Sequence, residues 1–358
     1  MKKYHGIQVL RFVAAGLVVL AHMNGNVLHN WHDFHQMVVP PFGDVGVFVF
    51  FGISGFIMVS TQYDSFGRDG SAAEFAIRRL LRVWPIYAIG TVLQYINKYN
   101  FNDNYTWLNF VKSLAFIPYI GDSNMYRPVL GQGWTLNIEM FFYAVFAVCL
   151  LCRRTVGLAI CIGIFVLFPL LSNVDLRAHE ILDFYADRIL MYFVCGMLVA
   201  LLHRRFAVQF EGWVLPLTAC LALMGGALAI PYMDGIPSAV AFTYNLLMVF
   251  CVVWLAASYR VTEHSKTVGF FERLGDASYS TYLFHGFVVG ALKVIAYRVP
   301  EGNYLLVTVA CIIGLIASNA AGLFAYKYLE LPIAKAVRGF TWIPGHRKSV
   351  TPLKKGTP

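Results

Sequence analysis

Ten stretches of this sequence are apolar over about the 20 residues a helix needs to cross a bilayer, and they constrain the fold more than any motif does. They lie near residues 7–24, 45–60, 84–100, 134–151, 155–172, 185–203, 213–230, 237–258, 277–297 and 303–326. Of the 358 residues, 58% are hydrophobic and only 13% charged, a balance too apolar for a soluble surface. The expected fold class is therefore all-α: a polytopic integral membrane protein of about ten transmembrane helices.

An even number of spans puts both termini on one side, and basic residues say which side, because cytoplasmic loops retain Lys and Arg while short translocated loops avoid them. With Lys2 and Lys3 inside, the inner segments hold Arg68, Arg78, Arg79, Arg82, Arg153, Arg154, Arg204, Arg205, Arg260, Lys266, Arg273 and the tail from Lys327 to Lys355. The outer segments hold fewer: Lys98, Lys112, Arg127, Arg177, Arg188, Lys293 and Arg298. The expected topology is N-in, C-in. This bias accounts for the net charge of +9, so no nucleic-acid partner is called for.

Arg11 inside the first apolar run, and the polar Asn24, Gly25 and Asn26 after it, mark that run as a retained anchor rather than a cleaved leader. Cys149, Cys152, Cys161, Cys195, Cys220, Cys251 and Cys311 fall in or at the ends of apolar helices, where they read as core packing without disulfides. One transmembrane domain is expected over 1–336, followed by a basic cytoplasmic tail, 337–358. Two surface helices are predicted, an inner one from Ser71 to Val83 before Trp84 and Pro85 open the third span, and an outer interfacial one from Tyr105 to Ile117.

Ionisable groups inside spans are costly to bury, so they are the first candidates for function. Arg11 and His22 are eleven residues apart on the first span, which is three turns plus about 20°, so they share a face about 16 Å apart along the axis. One reading makes them part of a site; the other lets Arg11 snorkel to the inner headgroups while His22 caps the outer helix end. Asp44 and Glu139 are expected at the depth of His22, where either carboxylate could orient the imidazole as a base. Against this, Asp44 also fits an exposed headgroup position and Glu139 a structural hydrogen bond.

On the inner side, Arg79 with Arg82, or Arg78 with Arg82, could meet one polyanion from a single helix face. Guanidinium forks suit phosphates, as on the nucleotide of coenzyme A, although basic pairs at helix ends also serve as topology anchors. His285 could line a cavity or bond a neighbouring helix, and Glu330 before Pro332 is a possible partner for Arg11. His29, His32 and His35 beside Asp33 read as a solvated polar loop, and no metal site is expected.

Six segments in order resemble the membrane-bound acyltransferase 3 family, over about Gly6 to Ala336. They are LRFVAAGLVVLAH, GVFVFFGISGF from Gly46, RRLLRVWPIY from Arg78, GWTLNIEMFFY from Gly133, ASYSTYLFHG from Ala277 and YLELP from Tyr328. The resemblance implies a multi-pass protein of the bacterial inner membrane that transfers an acyl group, usually acetyl, from cytosolic acyl-CoA to a hydroxyl of an extracytoplasmic or lipid-linked glycan. It implies acetyl-CoA as donor substrate with no permanently bound cofactor, and membrane lipids as surroundings. It places the family's essential residues on Arg11 and His22, its Arg-x-x-Arg on Arg79 and Arg82, its Trp-to-Glu element on Trp134 and Glu139, and its Glu-x-Pro on Glu330 and Pro332. Where many members carry an acid after Gly-Val, this chain has Phe48, and Asp44 lies one turn earlier.

The short form of the chain looks most like members that decorate exopolysaccharide or O-antigen. The expected division of labour has Arg79 and Arg82 on the nucleotide, Arg11 along the donor path, and His22 as the base. A secondary transporter or lipid-linked sugar flippase would share the polytopic build. Transporters often carry paired repeats, and no internal echo of that kind is found in this sequence.

Overall fold

The computed structural model describes residues 4–23, 42–100, 105–121, 125–171, 180–212, 214–230, 233, 235–260, 266–296 and 304–339. The loop with His29, His32, Asp33 and His35 and the tail from Phe340 lie outside the described residues. The described chain is nearly all helix: α1 (His5–Met23), α2 (Phe42–Gln62), α3 (Ser71–Asn100), α4 (Trp107–Leu114), α5 (Trp134–Cys149), α6 (Arg154–Leu170), α7 (Glu180–Tyr185) and α8 (Leu190–Phe206). There follow α9 (Val214–Ala229), α10 (Ser238–Ser258), α11 (Lys266–Asp276), α12 (Ser278–Ala296), α13 (Tyr304–Ala325), a π-turn at Tyr326–Glu330 and α14 (Leu331–Gly339). Each of the ten apolar stretches falls mainly on helix among the described residues. Among the described residues, five helical segments are long and apolar enough to cross a membrane: His5–Met23, Phe42–Gln62, Glu180–Phe206, Ser238–Ser258 and Thr308–Ala336. Arg154–Leu170 and Pro216–Ala229 are apolar but shorter.

The core is built where small residues let helices touch backbone to backbone. α1 lies on α2 at Gly43 and Gly46; a Cβ at Gly46 would stand 2.6 Å from the Ala14 carbonyl oxygen. α2 meets α8 at Gly55 and Gly196, where added Cβ atoms would fall on the carbonyl groups of Phe193 and Gly52, and a Cβ on Gly52 itself would meet Val249 of α10. Lipid tails are as apolar as leucine, so close van der Waals contact of this kind, rather than a hydrophobic force, holds such helices together. Aromatic rings fill the space behind, with Phe142 stacked on Phe193 at 4.2 Å between ring centroids.

Three features differ from the expectation. Instead of a surface helix followed by a span, Ser71–Asn100 is one helix that runs through Pro85. The proline removes one backbone donor, and two residues earlier the Tyr279 hydroxyl donates to the Val83 carbonyl at 2.7 Å, tying α12 to α3. The second is α4. It starts on the Thr106 cap as an amphipathic helix should, but it runs back along α3: Phe110 packs on Tyr95, Tyr87 donates to the Ser113 carbonyl at 3.2 Å, and Trp84 donates to the Leu114 carbonyl at 3.0 Å. The chain then stays low, because Gly133 abuts the Tyr87 ring and Gln132 donates to the Leu283 carbonyl of α12 at 2.7 Å. The third is α11, unforeseen as an element. It packs across the start of α1, with Gly275 against the Gln8 carbonyl and His5 bonded to Glu272.

Candidate active site

Arg11 and His22 stand at opposite ends of one stripe of α1, and each end has gathered a different chemistry. At the Arg11 end, α3 brings Arg79 and Arg82, α5 brings Glu139, α11 brings Asp276 and the π-turn brings Glu330. Arg82, Glu330, Asp276 and Glu139 all lie within electrostatic reach of the Arg11 guanidinium, which also donates to Gln8 Oε1 at 3.2 Å. Arg79 lies over the rings of Phe75 and Tyr143, 5.6 Å from each centroid. Glu139 Oε1 accepts from Ser54 Oγ at 3.0 Å and from the Tyr143 hydroxyl one turn along its own helix. Glu330 is buried and accepts from Ser280 Oγ at 2.7 Å. Three guanidinium groups offset by a few held carboxylates make a polar centre that can pair with phosphate or carboxylate through fixed forks.

At the other end, His22 meets His285 edge to face, 4.8 Å between ring centroids. His22 Nδ1 donates to the Val18 carbonyl at 2.9 Å, and His285 Nδ1 to the Tyr282 carbonyl at 2.6 Å. A carbonyl only accepts, so each ring carries its lone pair on Nε2, the form a general base needs. His285 is fully buried, and its Nε2 has no hydrogen-bond partner among the described residues. Behind it, Tyr282 donates to the Gln132 carbonyl at 3.0 Å and shares a hydrogen bond with Thr135 at 2.6 Å. Arg127, exposed on the segment entering α5, lies within electrostatic reach of His22.

The structure corrects two pairings. Glu139 does not orient His22. Gln132 and Gly133, held by Leu283 and Tyr87, begin α5 inside the helical bundle, so Glu139 comes within reach of Arg11 and its bonds go to Ser54 and Tyr143. Asp44 does not orient His22 either. It is exposed, and it shares a face of α2 with Phe48, which stacks on Tyr192 of α8 at 4.2 Å, whereas α1 is met by Gly43 and Gly46. Arg78 leaves the centre too: it pairs with Glu74, one turn back along α3, at 2.8 Å. Trp134 opens α5 and packs against the core, five residues and therefore more than a third of a turn round the helix from Glu139.

A model described as an acyltransferase domain matches residues 4–321. The chain belongs to the acyltransferase 3 family. Among curated proteins, the exopolysaccharide production protein ExoZ of Rhizobium meliloti (strain 1021) is 31% identical over 307 residues, covering 83% of this chain and 91% of that protein. No solved structure matches.

In this acyltransferase several partners were not legible beforehand. Tyr143 stands four residues after Glu139, a spacing that always shares a helix face, and Ser54 sits within the GISGF segment. Tyr279, Ser280, Gln132 and Arg127 come from distant parts of the chain, and no local pattern brings them together. Among the described residues, no group of three or more His, Cys, Asp or Glu gathers as a metal would need.

Proposed function

We propose that the chain is a membrane O-acyltransferase that moves an acyl group, acetyl in the first instance, from cytosolic acyl-CoA to a hydroxyl of an extracytoplasmic or lipid-linked glycan of exopolysaccharide or O-antigen type. The observation that carries this reading is the two-ended stripe of α1, with guanidinium groups at one end and paired imidazoles at the other. The name of the similar Rhizobium protein supports exopolysaccharide as the acceptor class.

Arg79 and Arg82 hold the nucleotide phosphates of the donor as charge-assisted pairs, and Arg11 continues the cationic path toward the thioester. His22 Nε2 takes the proton of the attacking hydroxyl. The oxygen bonds to the thioester carbonyl carbon, the C–S bond breaks, and the departing thiolate takes up that proton from the imidazolium. Glu139 acts at the donor end, where Ser54 and Tyr143 fix it against the arginines.

The test is binding of labelled acetyl-CoA to purified protein, together with mass spectrometry of the acceptor glycan from cells with and without the gene. Saturable binding and a gene-dependent acetyl mass on the glycan are expected. A transporter or flippase would leave acetyl-CoA unbound and the glycan mass unchanged, and that result overturns the proposal.

A further inference from the structure

Away from α1, α3, α5 and α12, the ends of α8 and α10 are tied by a short parallel pairing of Phe210–Glu211 with Tyr259–Arg260. Just before this tie, α8, α9 and α10 splay to leave a cleft of about 320 Å³ lined by Leu202, Phe206, Leu223, Phe250, Cys251 and Trp254. Its walls are hydrocarbon and aromatic, with the Phe250 and Trp254 rings stacked at 6.1 Å. Water has no polar partners in such a space.

Arg204 and Arg205 close α8, and they are used differently. Arg204 turns toward α2, 3.8 Å over the Tyr63 ring and 3.9 Å from Asp64. Arg205 stands beside the cleft, its guanidinium 5.8 Å from the ring of the adjacent Phe206, which is one of the lining residues. It is exposed and has no carboxylate partner among the described residues. An apolar slot with an uncompensated guanidinium at its rim is complementary to a molecule that joins a hydrocarbon chain to a negative phosphate head.

We infer that the cleft between α8, α9 and α10 binds one anionic glycerophospholipid, its phosphate on Arg205 and an acyl chain among Leu202, Phe206, Leu223, Phe250 and Trp254. The chain gains dispersion contact with every wall, and a basic side chain at the membrane surface attracts an anionic headgroup over a zwitterionic one. Free phosphate has no chain for the slot, and a zwitterionic lipid offsets its own phosphate with an ammonium.

Cys251 lines the cleft and serves as a native reporter. The full-length protein, solubilised and stripped of lipid, is treated with a small maleimide, and alkylation of Cys251 is followed by peptide mass spectrometry during titration with phosphatidylglycerol, phosphatidylcholine or inorganic phosphate. Phosphatidylglycerol should protect Cys251 at a several-fold lower concentration than phosphatidylcholine, and inorganic phosphate should not protect. Arg205→Gln should erase that ratio; because Arg205 is exposed, its loss leaves core packing intact. Equal protection by the two lipids in the wild-type protein, a ratio that survives in Arg205→Gln, or protection by neither lipid overturns the assignment.

Discussion

At the scale of single residues, the candidate site separates two kinds of effect. His22 holds its lone pair on Nε2 because Nδ1 is committed to the Val18 carbonyl, and a positioned base contributes roughly 10²–10⁴-fold to proton-transfer reactions. His22→Ala should therefore lower glycan acetylation by that order while acyl-CoA affinity stays within error. A loss of acetylation that tracks a loss of donor binding would remove His22 from the base role. Glu139 makes the opposite forecast. Because its carboxylate is held by Ser54 and Tyr143 at the arginine end, Glu139→Gln should change the KM for acyl-CoA and leave the shape of the pH–rate profile intact. A shifted profile would mean that Glu139 does act on the imidazole.

At the scale of elements, α3 has two faces. Arg82 lies within electrostatic reach of Arg11, Arg79 lies within reach of Arg82 and Glu139, and Arg78 is occupied by Glu74. Hydrogen bonds to charged groups contribute about 1.5–3 kcal/mol, so Arg79→Gln or Arg82→Gln should weaken acyl-CoA binding about ten- to hundredfold. Arg78→Gln should leave it nearly unchanged, and titration of acyl-CoA by calorimetry compares the three directly. The packing of α2 on α8 depends on missing side chains. A methyl group at Gly196 would fall on the Gly52 carbonyl, and overpacking of this kind costs about 1–3 kcal/mol. Gly196→Ala should lower the melting temperature in detergent. Gly163→Ala is the control, because a Cβ there meets nothing within 4 Å, and it should be neutral or slightly stabilising.

At the scale of the whole molecule, the proposed reaction needs the arginine end of α1 to face the cytosol and the imidazole end to face the other side. Single cysteines within 61–70 and after residue 339 should label with an impermeant maleimide only once cells are opened, and cysteines within 25–41 and 101–104 should label in intact cells. A tail that labels in intact cells would separate acyl-CoA from Arg79 and Arg82 and overturn the proposed mechanism.

The helical character was legible in the sequence because a backbone in hydrocarbon has few alternatives; among the described residues, five helical segments are long and apolar enough to cross a membrane. The stripe from Arg11 to His22 was legible too, since helical periodicity is local geometry. Depth was not. Counting residues from an assumed membrane edge put Glu139 beside His22, whereas the packing of α4 on α3 and of Gln132 on α12 sets the start of α5 inward and delivers Glu139 to the arginines. Nor could the sequence say which of three neighbouring arginines turns inward, or that His285 of a helix more than 250 residues later would meet His22. Those choices depend on how the helices pack against one another, which is decided by close contacts between residues far apart in the chain.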